Sequence, residues 1–417
     1  DDLIQEGFIP KIVRKESQSI LHIKTSELNI ASANSFSREL GRNLRDAWFK
    51  QTKEKHKEFK NWCNREDYWL EDYVSFAELR RQFNERPWWE WPKDFADHNE
   101  DVINEWKNIN QNKLLEHRLI QWHLDRQWKS IRCLSKDIGI TLLGDMPFYI
   151  SRDSSDVWGN RTLFSIGSSG DLYSQSGVPP DYFSSTGQLW GTPVYRWEEH
   201  SIDKFSWWRK RFLRQWELVD ILRLDHFRGL ESFWQIPGDQ ETAENGIWEK
   251  SPGKELLNFI REDKKGFLPL VAEDLGIITK EVEQLRDDFN LLGMKILQFA
   301  FDGDPKNPYL PENIMGNKWI IYSGTHDNQT TLGWWIGLAR KKKEEIEKRF
   351  FDKFDSPAWK IIDLGMSTEA RLFVAPIQDI LDLDDQSRFN QPGTKEGNWT
   401  WRINKYDKYL EERLKAY

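Results

Sequence analysis

Short apolar runs, each broken by an acid and then by Gly or Asn, recur along the second half of this chain: ILRLDHFRG at 221–229, LPLVAEDLG at 268–276 and WIIYSGTHDN at 319–328. Continuous runs of this length and β-branched character read as strands buried on both faces that open into loops at their C-terminal ends. The same pattern at 140–143, 294–301 and 372–375 brings the predicted parallel strands to six, with 221–224, 268–272 and 319–322. Helical spacing fills the gaps at 279–289 and 331–349, so the chain alternates strand and helix and reads as α/β. Ahead of the first strand, Ile120, Leu124, Trp128, Ile131, Leu134 and Ile138 recur at three- and four-residue steps, an amphipathic helix that Gly139 ends. Pro147, just after the 140–143 run, fits where that strand has finished pairing. Residues 1–112 show helical spacing without βα alternation and read as a mainly helical insertion. Trp62, Trp69, Trp88, Trp89 and Trp91 knit its helices together, and Pro87 and Pro92 break them. Residues 151–200 are rich in Ser, Gly, Asp and Trp and read as a long loop, of the kind that usually carries function.

Composition narrows the function. The chain has 417 residues, 38% hydrophobic and 31% charged, enough for a large core and unlike a disordered segment. Its formal charge of -8 leaves no surplus to neutralise phosphates, which argues against a nucleic-acid partner. The one dense basic run, Arg340 to Lys343, opens a stretch with Glu344, Glu345 and Glu347 that reads as a solvated helix. Cys63 and Cys133 stand in no CxxC pair and near no His at ligand spacing, so no disulfide framework or zinc site is expected, and a reducing cytoplasm, or a plastid stroma, fits. No apolar stretch reaches membrane-span length, and no membrane partner is expected. Twenty-three tryptophans are unusual. Most are read as core, and only those in loops near the acids bear on sugar binding, where flat C–H faces stack on aromatic rings.

The acids at the strand ends carry the chemistry. In a parallel barrel the C-terminal strand ends share one rim, so Asp225, Glu273 and Asp327 are expected to converge. Retaining glycoside chemistry needs one ionised nucleophile and one protonated acid, about 5 Å apart. Arg223, two residues before Asp225, points to the same face of its strand and favours the ionised carboxylate. A structural ion pair is the plainer alternative. Glu273 follows Leu270 and Val271, surroundings that can raise a carboxyl into the range of a general acid; a Glu-Asp pair after a strand also serves as a helix cap or salt-bridge partner. His326, Asp327 and Asn328 offer donors and acceptors suited to sugar hydroxyls. A Ser or Cys nucleophile beside His326 lacks a GxSxG elbow, and no GxxxxGK[ST] or strand-to-helix GxGxxG is present. Asp145 and the three acids have oxygens enough for Mg²⁺, yet the interleaved Arg223 and His326 suit a sugar site better, so neither metal nor cofactor is expected.

LRLDHFRG, AEDLG and GTHDN, with GDMPFYI (144–150), GVPPDYFSSTGQLWGTPVY (177–195) and NQPGTKEGNWTWR (390–402), closely resemble the 4-α-glucanotransferases, the amylomaltases or disproportionating enzymes of glycoside hydrolase family 77 in the α-amylase clan. These motifs run in order from about residue 115 to 402. The resemblance implies a (β/α)₈ TIM barrel with inserted helical subdomains, residues 113–417 forming the catalytic barrel and 151–200 a lid. Family members carry a further N-terminal segment, so the resemblance also implies that the first two strands are absent here, leaving strands three to eight. An open barrel of that kind exposes two hydrophobic edges. By the same resemblance Asp225 is the nucleophile, Glu273 the acid/base and Asp327 the transition-state stabiliser, while Arg223 and His326 line the same subsite and Asp145 lies close by. Asp181, Tyr182, Phe183, Gln188 and Trp190 belong to the lid, where the rings stack an acceptor sugar and keep water away. The implied reaction is transfer of α-1,4-glucan segments to the 4-hydroxyl of another glucan or glucose. An α-glucan hydrolase and a non-catalytic glucan-binding protein are the alternatives.

Overall fold

The computed structural model describes residues 2–9, 30–180, 184–350, 356–394, 396–403 and 408–415. The chain divides into two compact units: the described residues of 1–15, 35–273 and 278–289 form the first, and those of 16–34, 274–277 and 290–417 the second. Strands β1 (Leu143–Met146), β2 (Ser174–Val178), β3 (Gln188–Pro193), β4 (Ile221–Leu224), β5 (Ser232–Pro237), β6 (Ile247–Lys250) and β7 (Leu270–Ala272) lie in the first unit. The second holds β8 (Gly293–Ile296), β9 (Trp319–Tyr322) and β10 (Leu372–Val374).

All six predicted parallel strands are present. In the first unit they form a sheet of order β1-β4-β7, and in the second a sheet of order β10-β9-β8. Several boundaries move, those of β1 and β8 the most. β1 begins at Leu143 because pairing with β4 starts at Leu143 opposite Ile221. Just upstream, the Leu142 N–H donates to the Asp220 carboxylate at 2.9 Å in place of a strand carbonyl, while the Leu142 carbonyl still accepts from the Asp220 and Ile221 N–H groups. β8 stops at Ile296, where Leu297–Ala300 winds into a 3₁₀ turn. The helix expected over 331–349 is two, Thr331–Gly337 and Arg340–Phe350, because Leu338 adopts an extended ψ of 142° between them.

The described residues of the N-terminal region from Ile30 onward are mainly helical. Helix Lys53–Gln82 starts at Thr52, whose side chain accepts from the Lys55 N–H, and ends with Arg80 and Arg81 in its last turn, both favourable to the helix dipole. Trp88 and Trp91 are buried in the turn between Pro87 and Pro92, each with its indole N–H on a backbone carbonyl. Helix Gln111–Asp137 turns Leu114, Leu119 and Trp122 inward. The predicted stripe is largely on its outer side: Leu124, Trp128, Ile131, Leu134 and Ile138 are 38 to 61% exposed. Periodicity identifies the helix but not which face is covered. No described helix is long and apolar enough to cross a membrane.

The segment 151–200 is not one loop. It contains helix Ser155–Gly159 and strands β2 and β3, which join β5 and β6 in an antiparallel sheet of order β3-β2-β5-β6. The sequence SQSGV of β2 has no apolar alternation to announce it. Its Gly177 is required by packing, since a Cβ there would sit 2.1 Å from the Gln188 carbonyl oxygen on β3. Phe148, Tyr195, Trp197 and Trp208 pack ring on ring, with centroids 4.9 to 6.3 Å apart. The core of the second unit gathers Leu297, Phe301, Leu310, Ile321, Trp335 and Ile361.

Candidate active site

The central carboxylates of the first unit are placed by strand register. Asp145 on β1 stands opposite Arg223 on β4, and Leu224 stands opposite Ala272 on β7, so Asp225 and Glu273 follow at adjacent strand ends. The ladder continues one step further: Asp225 N–H donates to the Met146 carbonyl at 3.0 Å and Glu273 N–H to the Leu224 carbonyl at 3.1 Å. Both side chains therefore leave from main chain fixed by its neighbours, on the same edge of one sheet.

Arg223 organises the charges. Its guanidinium is buried, while the side chains of Asp145 and Asp225 are 41% and 44% exposed. One nitrogen donates to both Asp145 oxygens at 2.7 and 2.8 Å, and the other to Asp225 Oδ1 at 2.8 Å. Burial works against the arginine charge, but Asp145, Asp225 and Glu273 outweigh it and raise its pKa above the usual value. A permanently charged fork under two open carboxylates favours the ionised form of Asp225 and fixes one of its oxygens. Arg223→Lys is accordingly expected to lower kcat about a hundredfold, because an ammonium cannot span both acids. Steady-state kinetics with the folded variant checks this, and wild-type kcat would count against it.

Glu273 is held by the residue after Asp225. The His226 N–H donates to Glu273 Oε2 at 2.8 Å. That N–H is aimed by a left-handed backbone, φ 52° and ψ 48°, uncommon for a residue with a Cβ. The imidazole is fixed among Phe148, Tyr149 and Trp190, with Trp190 meeting it edge-on at 4.9 Å. Burial, assisted by Arg228, lowers its pKa to about 3, so the ring is neutral. Trp190 is 36% exposed and its indole N–H donates to Gln188 Oε1 at 3.3 Å, placing both residues on β3 beside this wall. Asp181, Tyr182 and Phe183 lie outside the described residues.

His326, Asp327 and Asn328 belong to the second unit and form a cluster of their own. Asp327 Oδ1 accepts from Asn390 Nδ2 at 2.6 Å, and Oδ2 lies 3.4 Å from His326 Nε2. Arg388 donates to the Asp327 carbonyl at 2.6 Å, and Asn328 closes the turn by accepting from the Thr325 N–H and hydroxyl. The His326 ring lies 5.2 Å from Trp399. Buried Asp379 ties down both ends of the loop, accepting from Ser323 Oγ at 2.6 Å and from Thr331 N and Oγ1 at 2.7 Å. Asp274, the residue after Glu273, accepts from the Met294 N–H at 2.7 Å, a main-chain contact to β8. Asp379→Ala leaves three buried donors without an acceptor and is expected to destabilise the protein by about 3 kcal/mol. Urea denaturation reads this directly, and an unchanged midpoint would contradict the clamp.

His226, Tyr149, Asn390 and Trp399 contact the candidate residues without being among them. Each lies inside a quoted motif, LDHFRG, GDMPFYI or NQPGTKEGNWTWR. The available signal was the polar or aromatic residue beside an acid or in the polar tail.

The family model described as 4-alpha-glucanotransferase, glycoside hydrolase family 77, matches residues 11–407. The 4-alpha-glucanotransferase of Synechocystis is 42% identical over 353 residues, 83% of this chain and 69% of that protein. That of Thermus thermophilus is 40% identical over 361 residues, 85% of this chain and 72% of its own length. Among solved structures, an amylomaltase from Streptococcus agalactiae in complex with acarbose superposes with a TM-score of 0.92 at 31% identity, covering 99% of this chain and 83% of that one. With a family model matching most of its length and relatives at 40% identity or more, the chain belongs to the 4-alpha-glucanotransferase family, glycoside hydrolase family 77.

Proposed function

We infer that this chain transfers α-1,4-glucan segments between chains by a retaining double displacement, on six parallel strands within 113–417 that correspond to strands three to eight of a (β/α)₈ barrel, with 1–112 a mainly helical insertion. The observation that carries the reading is the pair of carboxylates at adjacent strand ends, Asp225 held by buried Arg223 and Glu273 held by the His226 N–H. In the first step an Asp225 oxygen attacks C1 of the donor sugar as the C1–O4 bond breaks, and Glu273 gives its proton to the departing O4. A β-glycosyl ester on Asp225 and a shortened glucan result. In the second step the 4-hydroxyl of an acceptor attacks C1, Glu273 takes its proton and Asp225 leaves, restoring an α-1,4 linkage. Asp327 has the third role, holding the hydroxyls of the reacting sugar as its ring flattens, with His326 and Asn328 as further donors and acceptors. Asp145 shares Arg223 with the nucleophile and keeps that cation in place.

Trp190 is assigned to partner choice, together with Gln188, Asp181, Tyr182 and Phe183. A half-exposed indole beside His226 offers an apolar face on which an acceptor glucose stacks and excludes water. Incubation with maltotriose tests the function. Glucose and longer maltodextrins should appear with little gain in reducing ends, whereas a steady gain in reducing ends would favour hydrolysis. Trp190→Ala is expected to raise the hydrolysis-to-transfer ratio about tenfold, measured as reducing ends against glucose released. An unchanged ratio would remove Trp190 from acceptor selection.

A further inference from the structure

A cavity of about 470 Å³ opens in the first unit between helices Lys53–Gln82, Gln111–Asp137, Ser155–Gly159 and Ser206–Leu218. None of the strand-end acids lines it. Its size lies within the range of small-ligand sites, about 300 to 1,000 Å³. Four rings face it, those of Tyr68, Trp69, Tyr73 and Trp207. Between them stand groups that donate and accept hydrogen bonds, among them Gln121, Asn160 and Asp72.

The walls are built, not incidental. The Trp207 indole N–H donates to Asp156 Oδ1 at 3.2 Å, and the Arg211 guanidinium lies over the Trp207 and Trp208 rings at 5.4 and 5.1 Å. Arg211 itself donates to the Pro147 and Phe148 carbonyls, which fixes that wall to the turn after β1. Arg214 lies over Trp69 at 5.4 Å and pairs with Asp125 and Glu217. The Asp72 carboxylate packs against Gly159, where a Cβ would lie 2.4 Å from Oδ2, so a side chain at 159 would displace it. Lys210, at the mouth, lies 5.8 Å from the Tyr68 ring centre.

The chemistry selects the ligand class. Asp72, Asp156 and Asp203 on the lining oppose an anion, while Lys210, Arg211 and Arg214 oppose a cation. A lipid chain would take these charged groups out of water and offer them no hydrogen bonds in return. What remains is a neutral molecule with flat apolar faces and a periphery of hydroxyls, which describes a sugar. We propose that this cavity binds a short segment of a neutral α-glucan apart from the catalytic acids, and so anchors long donor chains. The identity of the sugar rests on the transferase reading; the existence of the site does not.

Two variants at exposed positions of the mouth, Tyr68→Ala and Lys210→Ala, test it. With amylose as donor, KM should rise about tenfold at unchanged kcat, whereas maltotriose, too short to reach both sites, should show wild-type constants. Calorimetric titration of the inactive Asp225→Asn chain with maltoheptaose should give two binding sites, and the same chain carrying Tyr68→Ala should give one. A single site in both, or an unchanged amylose KM, overturns the proposal. Failure of the transferase reading itself would appear differently, as wild-type protein inert towards maltotriose, and maltoheptaose binding lost on Tyr68→Ala would still identify the cavity as a sugar site.

Discussion

Asp225→Asn should abolish glucan transfer, lowering kcat by about four to six orders of magnitude. The amide has nearly the same shape and its carbonyl oxygen can still accept from Arg223, but it cannot form the ester with C1. The fold should survive, because the buried guanidinium keeps its two bonds to Asp145. The loss therefore reads as chemistry, provided thermal denaturation shows the variant folded. Glucose release from maltotriose is the measurement, and activity within tenfold of wild type would remove Asp225 from the reaction.

Glu273→Gln gives the second largest effect, about a thousandfold on maltotriose, and it has a signature that a structural residue lacks. Glutamine keeps an oxygen for the His226 N–H, so the position of the group is preserved and only its proton is lost. α-Glucosyl fluoride has a leaving group that departs without protonation, so the first step should recover and the second, which needs a base, should become limiting. Azide needs no deprotonation to attack and should restore turnover, giving α-glucosyl azide because the second displacement inverts C1 again. Equal losses on fluoride and maltotriose, with no azide rescue, would mean that Glu273 is not the acid/base.

Strand ends were the legible part of this molecule. ILRLD and LPLVAE place an acid after a short apolar run that reads as a buried strand, and the spacing of Arg223 from Asp225 puts both on one face; the observed ion pair follows from that period of two. Lateral order along the parallel sheet and the identity of Asp145 as the second partner of Arg223 depend on register between segments 78 residues apart, which periodicity does not encode. The antiparallel sheet was hidden for a different reason. Its second strand pairs through the backbone and through close approach at Gly177, so SQSGV carries no hydrophobic alternation to detect. His226 was overlooked because its contribution is a main-chain N–H aimed by a left-handed φ, a property of conformation and not of the side chain. Within the second unit, Asp327 was legible after WIIYSGTH, whereas Asn390 bonds to it across 63 residues of chain.

The helix Gln111–Asp137 shows the limit from the other direction. A clean three-four spacing predicts an amphipathic helix, and the helix is there, yet its inward face is set by Leu119 and Trp122 with buried Asp125. Asp125 accepts from Trp62 Nε1 at 2.9 Å and pairs with Lys129 and Arg214, so a polar network occupies ground that a hydropathy pattern assigns to apolar residues.

The central claim is a covalent sugar on one named oxygen acid. Incubating the protein with 5-fluoro-α-glucosyl fluoride, which slows the second displacement more than it impedes loading, and digesting it for peptide mass spectrometry tests that claim most directly. The expected result is a single fluoroglucosyl adduct on Asp225, removed when maltose is added as acceptor. An adduct on Asp145 or Glu273, or inactivation with no adduct on any carboxylate, would contradict it.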